Sequence, residues 1–225
     1  MIMAGRWQDK YGPRVVATIG GVLLGFGYIM ASFTGASYPA MVIFIGIFGG
    51  AGIGMAYVCP ITACVKWFPD MKGMITGVAV AGFGAGAFIF IKMAGSWLHL
   101  IETQGINGAF FIFGIILLVT VVLGAQLMSN PPTGWVPDGW DVSNASSNSL
   151  PVVKDLTQGE IIKTPQFWII WFSFVFNAGC GLMVIKCLKN FGVLEGGLTS
   201  AVAGSASGLL ALFNGLGRVV WNPAL

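Results

Sequence analysis

Six stretches, roughly 15–34, 39–65, 74–98, 108–128, 166–188 and 199–221, run for about 20 residues or more with almost no charge. A helix rising about 1.5 Å per residue crosses the hydrocarbon of a bilayer in about 20 residues. In lipid a lone strand leaves its amides unpaired, whereas a helix pairs its own, so each stretch is expected to be a transmembrane helix. A chain of 225 residues that is 56% hydrophobic and 8% charged cannot hide its apolar side chains in one soluble core. The fold class expected is therefore an all-α membrane protein. A net charge of +3, thinly spread, gives no basic face for nucleic acid.

What matters is where the charges fall. Arg6, Lys10, Arg14, Lys66, Lys72, Lys154 and Lys163 lie at one set of span ends, while Lys186 and Lys189 lie at the other, with His99, Glu102 and Glu195. The Lys- and Arg-rich side is expected to be cytoplasmic. The polar segment 129–165, with Pro131, Pro132, Pro137 and a Ser/Asn run from Ser143 to Ser149, then reads as an inner linker between four helices and two. On that side Asn144-Ala145-Ser146 is a sequon out of reach of glycosylation. Thr157 to Glu160 has capping-box spacing and predicts a short helix along the inner surface. Thr164 and Pro165 predict an N-cap and first helical residue for the fifth span. Met1 to Ala4 lead into no apolar h-region, so no signal peptide is expected.

Glycines recur every four residues: Gly46, Gly50 and Gly54; Gly73 and Gly77; Gly82 and Gly86; Gly204 and Gly208. That spacing places small residues on one helix face, either as static packing or as smooth faces that slide during a conformational cycle. Cys59, Cys64, Cys180 and Cys187 show no metal-ligand spacing and read as small packing residues. An enzyme is not expected. The one histidine, His99, lies at an outer loop, no span carries paired carboxylates, and Gly82-Phe83-Gly84-Ala85-Gly86 follows no strand. No cofactor and no metal site is expected.

The segment GRWQDKYGPR, Gly5 to Arg14, packs charges between two glycines and a proline just before the first span. Its glycines suit a tight turn, and its bases alone satisfy the positive-inside rule. It resembles the cytoplasmic loop signature of the major facilitator superfamily, which joins the second and third spans. The resemblance implies a conformational latch at Gly5, Asp9, Lys10, Gly12 and Arg14, with Asp9 facing a helix N-terminus across the bundle interface. The stretch from Gly50 to Phe90, with its Lys66-Trp67-Phe68-Pro69-Asp70 turn, is similar to the fourth and fifth spans of the oxalate/formate antiporter branch. SNPPTGW, TPQFW and LFNGLGR fit the same branch.

The resemblance implies a partial major facilitator superfamily helical bundle, six transmembrane helices of an expected twelve, corresponding to the third through eighth. Residues 1–128 would form part of an N-terminal bundle with the latch loop at 5–14. Residues 129–165 would be the cytoplasmic linker, and 166–225 the start of a C-terminal bundle. The chain is thus expected to be a fragment whose further partners are the missing spans of the parent. The implied function is secondary active transport of small carboxylate anions, of the oxalate/formate antiport kind, in a cell or plasma membrane. The rival expectation is a non-transporting membrane subunit or an inactive remnant.

Three residues are candidates for substrate binding. An arginine at the position of Arg218 binds a substrate carboxylate in the family, and a guanidinium grips a carboxylate bidentately. Counted from Thr199, however, Arg218 lies about 28 Å along the helix, where an arginine snorkels to the surface. Tyr57 offers an aromatic wall with a hydroxyl, or ordinary packing. Asn214, like Asn177, either bonds between helices or lines a cavity. Lys92 and Lys186 lie toward the outer ends of their spans, where snorkelling accounts for them.

Overall fold

The computed structural model describes residues 2–35, 37–132, 134–137 and 158–221, and among these there is no strand. In chain order the helices are α1 (Ile2–Tyr11), α2 (Pro13–Ser32), α3 (Tyr38–Trp67), α4 (Lys72–Lys92), α5 (Leu100–Gln126), α6 (Gln158–Ile161), α7 (Pro165–Leu194) and α8 (Ser200–Trp221). Six of them, α2 to α5 with α7 and α8, are long and apolar enough to cross a membrane. Their outward faces carry residues such as Ile47, Leu123, Ile170, Phe174, Phe176 and Met183, all exposed. That is a surface made for acyl chains, not water.

The described residues divide into two compact units, one drawn from Met1–Pro137 and Ala211–Leu225, the other from Asp138–Leu210. One division falls between residues 137 and 138, inside the segment read as a linker, and the other runs through α8.

In the first unit α2 is the central element, packed along both α5 and α3. Glycines allow the approach. A Cβ on Gly25 would stand 2.4 Å from Leu118 Cβ, and one on Gly52 would stand 2.5 Å from the Leu24 nitrogen and 2.7 Å from the Gly20 carbonyl oxygen. Here the expected stripe is displaced. Gly50 meets nothing within 4 Å and Gly46 meets its own neighbour Val42, whereas Gly49 and Gly52 face α2. The cause is a π-helical stretch, Val42–Gly49. Its wider turn breaks the 100° phase on which four-residue spacing relies. On α4 the faces divide: a Cβ on Gly84 would collide with the Ala211 carbonyl of α8, while Gly82 and Gly86 meet nothing.

The segment 5–14 is the second correction. Rather than a loop, Gly5 through Tyr11 continue α1, and the turn is confined to Gly12, with φ 83°. The Gly12 amide bonds the Gln8 carbonyl at 2.9 Å, and Pro13 opens α2 at the first position. Gln8 explains the difference, because its burial against α3 fixes the preceding turn as helix.

The span starts follow the reading closely. Gly105, at φ 68° and ψ 178°, breaks α5, so its apolar run starts near the expected residue 108. Pro165 starts α7 after an extended Thr164, yet the Thr164 hydroxyl donates backward to the Ile161 carbonyl at 2.6 Å and caps nothing. A short helix does form at Gln158–Ile161, while Thr157, the sequon and most of the linker lie outside the described residues. In the second unit Gly192 of α7 approaches Ala203 of α8, and Gly197, at φ 62°, turns the chain between them.

Candidate functional site

At one end of the first unit four helices close tightly. Ala4 of α1, Val16 and Ala17 of α2, Cys59 of α3 and Ala125 of α5 form a buried cluster, with Met55 and Met128 against it. Ala4, Ala17, Cys59 and Ala125 are small enough to let four backbones converge around Val16. Beside the cluster, Gln8 Nε2 donates to Thr62 Oγ1.

The charged groups lie just outside this plug. Lys66 Nζ meets Asp9 Oδ1 at 3.3 Å, joining α1 to the end of α3. The Asp9 side chain is 75% exposed and that of Lys66 42%, so the pair contributes about 0–1 kcal/mol to stability. Its position matters more than its strength, for it spans a seam between two helices. Lys10 lies over the Tyr11 ring at 5.2 Å, and Arg14 is exposed, its carbonyl accepting from Thr18 at 2.8 Å. Gly5 has open space where a Cβ would stand. Of the expected latch residues, then, Asp9 gains an ion-pair partner, Gly12 makes the turn, and Gly5 is an ordinary helix position.

Next to Lys66, the Trp67 indole donates to the Ser129 carbonyl at 2.8 Å, and the Trp135 indole donates to the Trp67 carbonyl at 3.2 Å. The two rings meet edge to face with centroids 5.2 Å apart. The chain leaving α5 is thereby clasped to the end of α3. Sequence reading saw Trp67 as part of the turn after the second span and missed this clasp. A tryptophan beside Pro131-Pro132 and Gly134 was the available signal, since an indole needs an acceptor when it is partly covered.

Between α2, α3, α4 and α5 runs a cleft of about 870 Å³, within the range of small-molecule sites. Its walls are mostly aliphatic and aromatic; Tyr28, Tyr57 and Thr120 bring hydroxyls, and Gly82 and Gly86 leave room. Tyr57 thus lines a cavity. Tyr28 and Thr120 were not foreseen, although each is a lone hydroxyl in an apolar run. Thr120 returns its proton to the Ile116 carbonyl at 2.6 Å, and Tyr28 stands edge-on to Phe110.

Asn214 does not line this cleft, and Arg218 is placed here by helix register alone. Both lie on α8, four residues apart and so on one face of it, with Asn214 exposed. The apolar span ends at Gly217, and Arg218 follows directly. Asn214 and Arg218 are thus related by helix register on α8, while Tyr57 lies on α3. At the far ends of the spans His99 Nδ1 and Glu102 Oε2 lie 3.0 Å apart, and Lys92 Nζ sits 5.9 Å from the Phe88 ring centre. Among the described residues no group of His, Cys, Asp and Glu could hold a metal, and the four cysteines are free.

The sequence profile of the Major Facilitator Superfamily matches residues 1–224. The chain belongs to that superfamily. It is 32% identical over 222 residues to the uncharacterized MFS-type transporter YhjX of Escherichia coli, covering 97% of this chain and 51% of the relative. It is 29% identical, again over 222 residues, to the oxalate:formate antiporter of Oxalobacter formigenes, covering 97% and 49%. A shorter match, 34% over 99 residues, covers 44% of this chain and 18% of the apicoplast pyruvate carrier 1 of Toxoplasma gondii. The chain spans about half the length of the first two relatives. It is an integral, multi-pass membrane protein of a transporter family, with the fold of a partial superfamily bundle.

Proposed function

We propose that this chain is part of a secondary carrier that exchanges small carboxylate anions, of the oxalate/formate kind, by alternating access. The observation that carries the reading is the similarity to an oxalate:formate antiporter through 97% of the chain. The match to a pyruvate carrier points to the same chemistry in another small carboxylate. In this reading Arg218 grips the carboxylate, Asn214 on the same helix face adds a hydrogen bond, and the Tyr57 hydroxyl and ring wall the path. Residues 1–128 belong to an N-terminal bundle, 129–165 to a cytoplasmic linker, and 166–225 open a C-terminal bundle.

The latch lies on the cytoplasmic side, with Asp9 and Lys10 between Gly5 and Gly12 and Arg14 just beyond them. Its Asp9–Lys66 contact is weak enough to break within one transport cycle. The close Gly84–Gly215 approach of α4 and α8 supplies the kind of smooth contact at which bundles rock. The test is counterflow in proteoliposomes holding the full-length protein. Oxalate-loaded vesicles should take up labelled oxalate or formate, and Arg218→Gln should abolish uptake while the protein stays inserted. Absence of carboxylate exchange, or full exchange by Arg218→Gln, would reject the substrate class or the site respectively.

A further inference from the structure

Gln8 carries a chemical anomaly that the latch itself does not explain. It is 1% exposed, although its neighbour Asp9 is open to solvent. Its Nε2 donates to Thr62 Oγ1, and the Thr62 hydroxyl hydrogen is already committed to the Val58 carbonyl at 2.9 Å. Gln8 Oε1 is buried and has no hydrogen-bond partner among the described residues. One turn back on α1 is Ala4, and one turn back on α3 is Cys59, both in the buried apolar cluster. The seam between α1 and α3 is therefore apolar packing with one half-satisfied amide in it.

A half-satisfied buried amide is worse for a packed seam than an apolar side chain of equal length, which leaves nothing orphaned. Methionine would fill the same volume with the same number of rotatable bonds. We infer that Gln8 is a positioning residue whose unpaired carbonyl keeps the α1–α3 seam reversible, docked in one state of the cycle and hydrated in the other. When the seam opens, Oε1 gains water and Asp9 moves away from Lys66; when it closes, both return. The inference rests on the latch reading above, but not on which anion is carried.

It predicts effects of opposite sign from the two sides of one contact. Gln8→Met removes the orphan and tightens the seam. Thr62→Val leaves the amide with no partner at either end and loosens it. Cys59, fully buried beside the seam, reports opening by its alkylation with N-ethylmaleimide, read by peptide mass spectrometry on the full-length protein in proteoliposomes without substrate. Alkylation should slow on the order of tenfold in Gln8→Met and quicken by a similar factor in Thr62→Val, the scale of one unsatisfied buried group. Cys64, partly exposed on the same helix, should react at an unchanged rate.

Faster alkylation in both variants would overturn the proposal, since Gln8–Thr62 would then be a plain structural bond. Unchanged alkylation in both would also overturn it, because the seam would not open. If Gln8→Met fails to insert, Thr62→Val decides alone: a rate equal to the native one sinks the idea. Carboxylate exchange with unaltered alkylation would leave the carrier reading standing and remove this inference only.

Discussion

Replacing Gly52 by alanine tests the packing account at its tightest point. The added Cβ would lie 2.5 Å from the Leu24 nitrogen, 2.7 Å from the Gly20 carbonyl oxygen and 2.9 Å from Leu24 Cα. All three are backbone atoms, so no rotamer change relieves the contact and α2 and α3 must separate. Overpacking of this kind costs about 1–3 kcal/mol. Removing a helix-interior glycine returns up to about 1 kcal/mol in propensity. Gly50→Ala, two residues away on α3, gains the same propensity and meets nothing within 4 Å. The difference between the two variants isolates the clash, about 1–3 kcal/mol against Gly52→Ala. Thermal melts of the full-length protein in detergent, followed by circular dichroism, should place the Gly52→Ala midpoint below that of Gly50→Ala. A Gly52→Ala midpoint equal to or above it would refute the α2–α3 interface described here.

Three further outcomes follow from the latch end. Asp9→Asn should change melting stability by less than about 1 kcal/mol, the limit for an exposed pair, yet slow oxalate counterflow, and Asp9→Lys combined with Lys66→Asp should recover part of it. Trp135→Phe keeps the ring contact with Trp67 but removes the indole donor, so a loss of about 0.5–1.5 kcal/mol is expected in the same melts. Gly12→Ala forces a left-handed φ on an alanine, costing roughly 1–2 kcal/mol. Its readout is greater protease access between α1 and α2 in membrane vesicles.

Much of this molecule was legible because lipid leaves a chain few choices. The number of spans, the turn at Phe68-Pro69 and the start of α7 at Pro165 follow from length, backbone pairing and proline geometry. What escaped depends on contacts distant in sequence. Four-residue spacing singled out Gly46, Gly50 and Gly54 on α3, whereas Gly49 and Gly52 meet α2, because apolar spacing does not reveal a π-helical stretch. Gly5 to Tyr11 read as a loop because nothing local says that Gln8 docks on Thr62, 54 residues away. Tyr57 was read either as a wall residue or as ordinary packing, and the other hydroxyls of its cleft, Tyr28 and Thr120, became visible once α2 and α5 were seen to close it. Asn214 and Arg218 are four residues apart and so share a helix face, although each was read separately in the sequence.

The central claim is that the helices cross the bilayer with the basic turns on one side, so that the latch faces the cytoplasm. Single cysteines at Lys66 and Glu195, each in an otherwise cysteine-free full-length protein, can be treated in intact cells with a membrane-impermeant maleimide. The cysteine at 195 should label at once and the cysteine at 66 only after the membrane is opened. Labelling of both, or of 66 alone, in intact cells would contradict the topology and the alternating-access reading built on it.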